Sequence, residues 1–162
     1  MTVKLKRRNR GATVGSIRDI VPGATPAEHD DWIEFLRRND GAVPEVNEFD
    51  VGTDSGSGVQ AFFGVADVQE TRHRLSDRMP DYLLPIADAE GGNYVCLGLS
   101  PQGSGVHFWD HETEETTQVS SSFAEFLEDL RPFDADSVEL KPGQVVSAWI
   151  DPALLEAEKK KG

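Results

Sequence analysis

The sequence predicts an α+β domain built on an antiparallel sheet, and three features predict it. Its patterned segments run in the order helix, several strands, helix, without the strand–helix alternation that a parallel sheet requires. Tyr94–Leu99 and Val106–Trp109 are short apolar runs joined by a Pro/Gly/Ser turn at Ser100–Gly105, which is a hairpin signal. The 162 residues are 38% hydrophobic and show no internal repeat or low-complexity linker, which suits one domain with a buried core, since single domains run roughly 100–200 residues.

Taken in order, residues 1–15 mix basic side chains with Gly11 and Gly15, show little periodicity and read as an irregular basic lead-in. Ser16–Val21 is a short apolar-spaced element stopped by Pro22-Gly23. The spacing of Trp32, Phe35 and Leu36 predicts a helix over 26–39: Thr25 can cap it with Pro26 at the first helical position and Glu28 closing a capping box, and Asn39-Asp40-Gly41 stops it. Residues 42–58, with Pro44, Gly52, Gly56 and Gly58, read as loop around a short strand at Glu48–Val51, and Val59–Val65 reads as strand. Val68, Leu75 and Met79 fall near helical spacing before Pro80. Leu83, Leu84 and Ile86 then lead into a turn at Asp88–Asn93, the hairpin follows, and the acidic turn Asp110–Glu115 precedes a third strand at Thr116–Val119. Ser122 with Glu125 three residues on caps a helix whose apolar face is Phe123, Phe126, Leu127 and Leu130, closed by Pro132. Val145–Ile150 reads as extended, and Asp151-Pro152 opens a brief helix to about Glu158.

Charge narrows the function. Lysine and arginine number 16 against 29 acids, a net charge of −13. The imbalance is uneven: residues 1–18 hold six basic residues and no acid, Lys159, Lys160 and Lys161 add three more, and residues 19–158 hold seven basic residues against 29 acids, a balance of −22. Such a body repels phosphates, which argues against nucleic acid as a partner. It suits either plain solubility or an acidic recognition face for a cationic protein. One cysteine, Cys96, precludes an internal disulfide, and neither a long apolar run nor a signal-peptide core is present, so a cytoplasmic setting and no membrane are expected.

The sequence holds few groupings with the spacing that chemistry needs. Gly56-Ser57-Gly58-Val59-Gln60-Ala61 has the form of a dinucleotide turn but lacks a strand before it and a helix after it. His107, Asp110, His111 and Glu112 are the densest set of potential metal ligands. Residues four apart on a strand lie about 13 Å from one another, so only a tight turn at Asp110 would converge them. Cys96 lies within an apolar strand as a small core residue, and no serine sits in a G-x-S-x-G elbow. The acidic pairs Asp30/Asp31, Glu114/Glu115 and Glu128/Asp129 read as solvated faces, and Trp32, Trp109 and Trp149 as core, with an interface role open to any that is partly exposed.

Three segments together carry a resemblance. WIEFLRRNDGAVP (32–44), LLPIADAEGGNYVCLGLSPQGSGVHFWDHETE (83–114) and SSFAEFLEDL (121–130) resemble the SUKH superfamily, in the branch of the fungal Smi and Knr cell-wall-assembly regulators. The resemblance implies a twisted antiparallel sheet flanked by N-terminal and C-terminal helices. It implies, too, that bacterial members are mostly immunity proteins that bind and neutralise a cognate toxin, often a nuclease, while fungal members are interaction scaffolds. The family-like positions are Phe35, Leu36, Asn39, Gly41, Gly91, Gly92, Asn93, Trp109, Asp110, Phe123, Phe126 and Leu127, most of them fold-defining. The chain departs from the family in a compressed IRDIVPGATPAEHDDW segment, in Asn39-Asp40-Gly41 where Asn-Gly-Gly is usual, and in a tail over 132–162 without counterpart.

The expectation is therefore a non-catalytic module with no cofactor or metal: a basic lead-in (1–15), a SUKH-like domain (16–131) and a C-terminal extension packing on it (132–162). Its partner would be a cognate toxin or other basic protein, met by a monomer or weak dimer through Asp88, Glu90, Trp109, Asp110, Glu112, Glu114 and Glu115. The alternatives are a scaffold binding a host protein or peptide, and a metal-dependent hydrolase using the Asp110–Glu112 turn.

Overall fold

The lead-in enters the sheet at once. In the computed structural model, which describes residues 3–8, 11–21, 29–99 and 102–134, strand β1 (Leu5–Arg8) pairs antiparallel with β2 (Ala42–Pro44), with a register irregularity between Leu5 and Arg7. This corrects the irregular reading of residues 1–15: a charged strand with little propensity of its own is held by a ladder that only tertiary contact supplies. Helix α1 (Val14–Ile20) follows and starts earlier than its apolar spacing suggests, because Thr13 caps it by accepting from the Ser16 N–H.

Helix α2 (Asp30–Arg38) buries Trp32, Phe35 and Leu36 as the spacing predicts, with Asp30 and Asp31 in its first turn where the helix dipole favours them. The capping box at Thr25–Glu28 lies outside the described residues; the cap position is occupied by His29. Strand β3 (Glu48–Val51) stands where expected, whereas β4 (Ser55–Phe62) starts in the glycine-rich stretch read as loop. Gly56, Ser57 and Gly58 are strand because β3 pairs with them, Val59–Phe62 pairs with β5, and Phe62 also meets Ala42 of β2, so β4 serves three partners. A Cβ on Gly58 would approach the side chains of Asn47, Glu48 and Glu90 to 3.0 Å, which explains a glycine in mid-strand.

Val65 opens helix α3 (Val65–Arg74) instead of ending a strand. Asp67 accepts the Gly64 N–H and Asp40 accepts the Val65 N–H at 2.7 Å, so the helix start is capped partly from a distant turn. The rest is a meander of β5 (Leu83–Ala89), β6 (Tyr94–Gly98), β7 (Val106–Trp109) and β8 (Thr116–Ser120), closed by α4 (Phe123–Asp129) with Ser122 accepting from the Glu125 N–H. The sheet order is β1-β2-β4-β5-β6-β7-β8 with β3 on β4, and every pairing is antiparallel. The protein is thus α+β. Residues 145–158 lie outside the described residues.

Aromatic rings join the helices to the sheet. Phe35, Phe62 and Phe123 meet edge to face at centroid separations of 5.1 to 5.9 Å, and Phe49 packs on Phe126 at 5.2 Å. Asp31 ties the two helix starts together, one carboxylate oxygen accepting the Trp32 N–H and the other the Ala124 N–H.

Candidate functional site

The meander places two turns side by side at one end of the sheet. The β5–β6 turn is a short 3-10 element at Glu90–Gly92, which needs glycine because Gly91 and Gly92 have φ of 73° and 80°. Asn93 then reaches to the β7–β8 turn: its Oδ1 accepts the His111 N–H at 3.0 Å and lies 2.8 Å from His111 Nδ1. Within the second turn, Asp110 accepts the Glu112 and Thr113 N–H groups at 2.8 and 3.0 Å, and these bonds hold its carboxyl below the usual carboxylate range. Glu114 adopts a left-handed φ of 60°, uncommon without glycine.

Arg78, just after α3, braces this turn. Its guanidinium donates to Glu114 at 2.7 Å, also donates to the His111 carbonyl, and lies 5.7 Å from the centre of the Trp109 ring. Nothing in the sequence signals this, since Arg78 and Glu114 are 36 residues apart.

The expected contact residues separate accordingly. Trp109 is fully buried, a correction to its reading as a contact: β7 turns it inward, with Tyr94 6.1 Å away centroid to centroid. The carboxylate of Asp110 is occupied by its own turn, and Glu114 is paired with Arg78. Asp88 is half-buried on β5; burial, then the nearby Asp67 charge, push its carboxyl up while Arg74 opposes them. Glu90, Glu112 and Glu115 stand exposed on the two neighbouring turns. Beside Glu90, Glu48 is raised by burial and then by the Glu90 charge, with Arg131 opposing.

The family-like positions serve the frame. Phe35, Leu36, Phe123 and Phe126 are buried and Leu127 is half-buried. The buried Asn39 donates from Nδ2 to the Phe35 carbonyl, and Gly41 has a φ of 99° in the turn that follows.

The other candidate chemistries occupy structural places. Gly56–Ala61 lies wholly within β4. Cys96 is completely buried, 4.0 Å from the Met79 sulfur, and burial pushes its thiol pKa up. His107 Nε2 lies 2.6 Å from the Ser104 carbonyl while His111 turns to Asn93, so the two imidazoles serve different contacts. Among the described residues, no group of three or more His, Cys, Asp or Glu side chains is arranged to hold a metal ion, and no helix is long and apolar enough to cross a membrane.

Residues 29–129, from the cap of α2 to the end of α4, match the SMI1 / KNR4 family (SUKH-1). The chain belongs to this family. Within it, the SPbeta prophage-derived uncharacterized protein YokK of Bacillus subtilis (strain 168) is 32% identical over 88 residues, covering 48% of this chain and 45% of that protein. The match therefore spans a little under half the length of that relative. Strand β1 and helix α1 precede the part of this SUKH-1 chain that the family covers.

Proposed function

We propose that this SUKH-1 domain is a non-catalytic binding module that neutralises a cognate cationic protein toxin by covering it. The observation that carries the reading is the set of exposed acids, Glu90, Glu112 and Glu115, on two turns braced by Asn93, Asp110 and Arg78. A charged surface held in place by its own backbone loses little freedom on binding, and its field accelerates encounter with an opposite charge. The acidic body supplies that field at longer range.

The test is co-expression with a toxin encoded beside this gene, together with binding measured from low to high salt. The expected outcome is rescue of growth and a complex that weakens steeply as salt rises. Glu90→Lys/Glu112→Lys/Glu115→Lys should leave the fold intact and lose rescue. Absence of both rescue and a low-salt complex would sink the proposal.

A further inference from the structure

His111 stands between the two acidic turns with one ring nitrogen committed and the other open. Asn93 Oδ1 accepts the His111 backbone N–H at 3.0 Å, which fixes the Asn93 amide with its oxygen, not its nitrogen, towards the histidine. The same oxygen lies 2.8 Å from Nδ1. A carboxamide oxygen only accepts, so Nδ1 carries a proton, and in the neutral ring the lone pair is left on Nε2. The neighbouring turn also backs the ring: a Cβ on Gly92 would come within 3.5 to 3.7 Å of Cε1, Nδ1 and Nε2. His111 is half-buried, and its Nε2 has no hydrogen-bond partner among the described residues, yet is not closed off from solvent. His107 is the contrast, because there Nε2 itself meets a carbonyl, that of Ser104, and must carry the proton.

A fixed, uncharged acceptor among carboxylates selects for donors. Glu112 follows His111 directly, and Glu90 belongs to the turn that carries Gly92; both are exposed. An anion would meet these charges and the lone pair, and both repel it. A metal ion would take the lone pair, but the described residues assemble no group of three ligands for one. That leaves an organic cation. A lysine ammonium is a point charge that carboxylates alone satisfy, whereas the planar guanidinium has five N–H donors and meets a carboxylate and a neutral acceptor together. Arg78 shows that this turn suits such a group, since its guanidinium donates both to Glu114 and to the His111 carbonyl.

We infer that His111 Nε2 is the specificity-determining acceptor of the acidic surface: it takes an N–H of an arginine side chain on the partner, with the exposed acids of the two turns supplying the counter-charge. The acids attract any cation, and His111 separates arginine from lysine. This rests on the reading of the surface as the contact for a cationic protein and adds which cation it selects. Because Asn93 and Gly92 already hold the ring, little side-chain freedom is lost when the bond forms.

The test is long-range proton–nitrogen correlation on the full chain, isotope-labelled at histidine nitrogen and with the rings neutral. His111 should be protonated at Nδ1 and bare at Nε2. A hexa-arginine peptide should shift the Nε2 resonance and bind about tenfold tighter than hexalysine, the worth of one charge-assisted hydrogen bond. His111→Phe should bring the two peptides to equal affinity; a residue that merely props the turn would weaken both alike. The spectra of the unaltered chain hold whatever that variant does to the fold. A proton on Nε2, an Nε2 already hydrogen-bonded in the free chain, lysine bound as tightly as arginine, or a preference that survives His111→Phe would each overturn the inference. None of these readouts involves the toxin. Lost rescue with the arginine preference intact would therefore fail the proposed function alone, and rescue without that preference would fail this inference alone.

Discussion

The acidic turn end and the basic β1 edge use charge in opposite ways. At the turns, several charges are built into the fold: Asp110 binds backbone N–H groups, Glu114 is held by Arg78, and Asp88 is half-buried. At β1 the backbone ladder to β2 does the holding, and Lys4 and Lys6 remain exposed. The difference teaches that a charge count overstates the charge a surface can offer a partner. Of the seven residues expected at the acidic site, Glu90, Glu112 and Glu115 are the exposed acids that the turns do not themselves employ.

Five variants would break or sharpen that contrast. The largest effect belongs to Trp109→Ala, which empties a fully buried site beneath the turns; a loss of about 3–5 kcal/mol in urea unfolding is expected. A near-neutral result would mean that Trp109 is surface after all. Arg78→Ala removes the ring contact, the half-exposed ion pair and the bond to the His111 carbonyl, and should cost about 1–2 kcal/mol with faster amide exchange over 111–115. Exchange unchanged there would show that Asn93 and Asp110 suffice.

The third contrast sets two carboxylates against each other by pH. The Asp88 carboxyl is raised in the folded protein, so its ionised form opposes folding. That cost is absent below the unfolded value of about 3.9, grows as the pH rises to the folded value, and is constant above it. Asp88→Asn should therefore raise the urea midpoint at pH 7 and leave it unchanged near pH 3. The Asp110 carboxyl is lowered, so its contribution is present above about pH 3.9 and lost as the pH falls through its folded value. Asp110→Ala should lower the midpoint at pH 7, and equal signs for the two variants would refute their separate roles. The smallest effect is that of Lys4→Glu/Lys6→Glu, within about 0.5 kcal/mol by urea unfolding, because both side chains are exposed on an edge held by its backbone.

Much of the frame was legible in local sequence. Trp32, Phe35 and Leu36 announce the buried face of α2, Ser122 and Glu125 its counterpart at the start of α4, and Val106–Trp109 a strand, because caps and periodicity act over a few residues. The site was less legible. Its acidic residues could be named from composition and from the position of the turns, yet Trp109 was misplaced among contacts and Arg78 had no signal at all.

By itself, then, the sequence determined the α+β class, the order of the later elements and the acidic body between basic ends. Tertiary structure alone decided that Leu5–Arg8 and Ser55–Gly58 are strands, that Trp109 has no exposed face to offer a partner, and which carboxylates remain exposed. The physical reason is range. Capping and helical spacing are satisfied within a few residues, whereas a ladder between Leu5 and Pro44, or an ion pair between Arg78 and Glu114, exists only once distant parts of the chain have met.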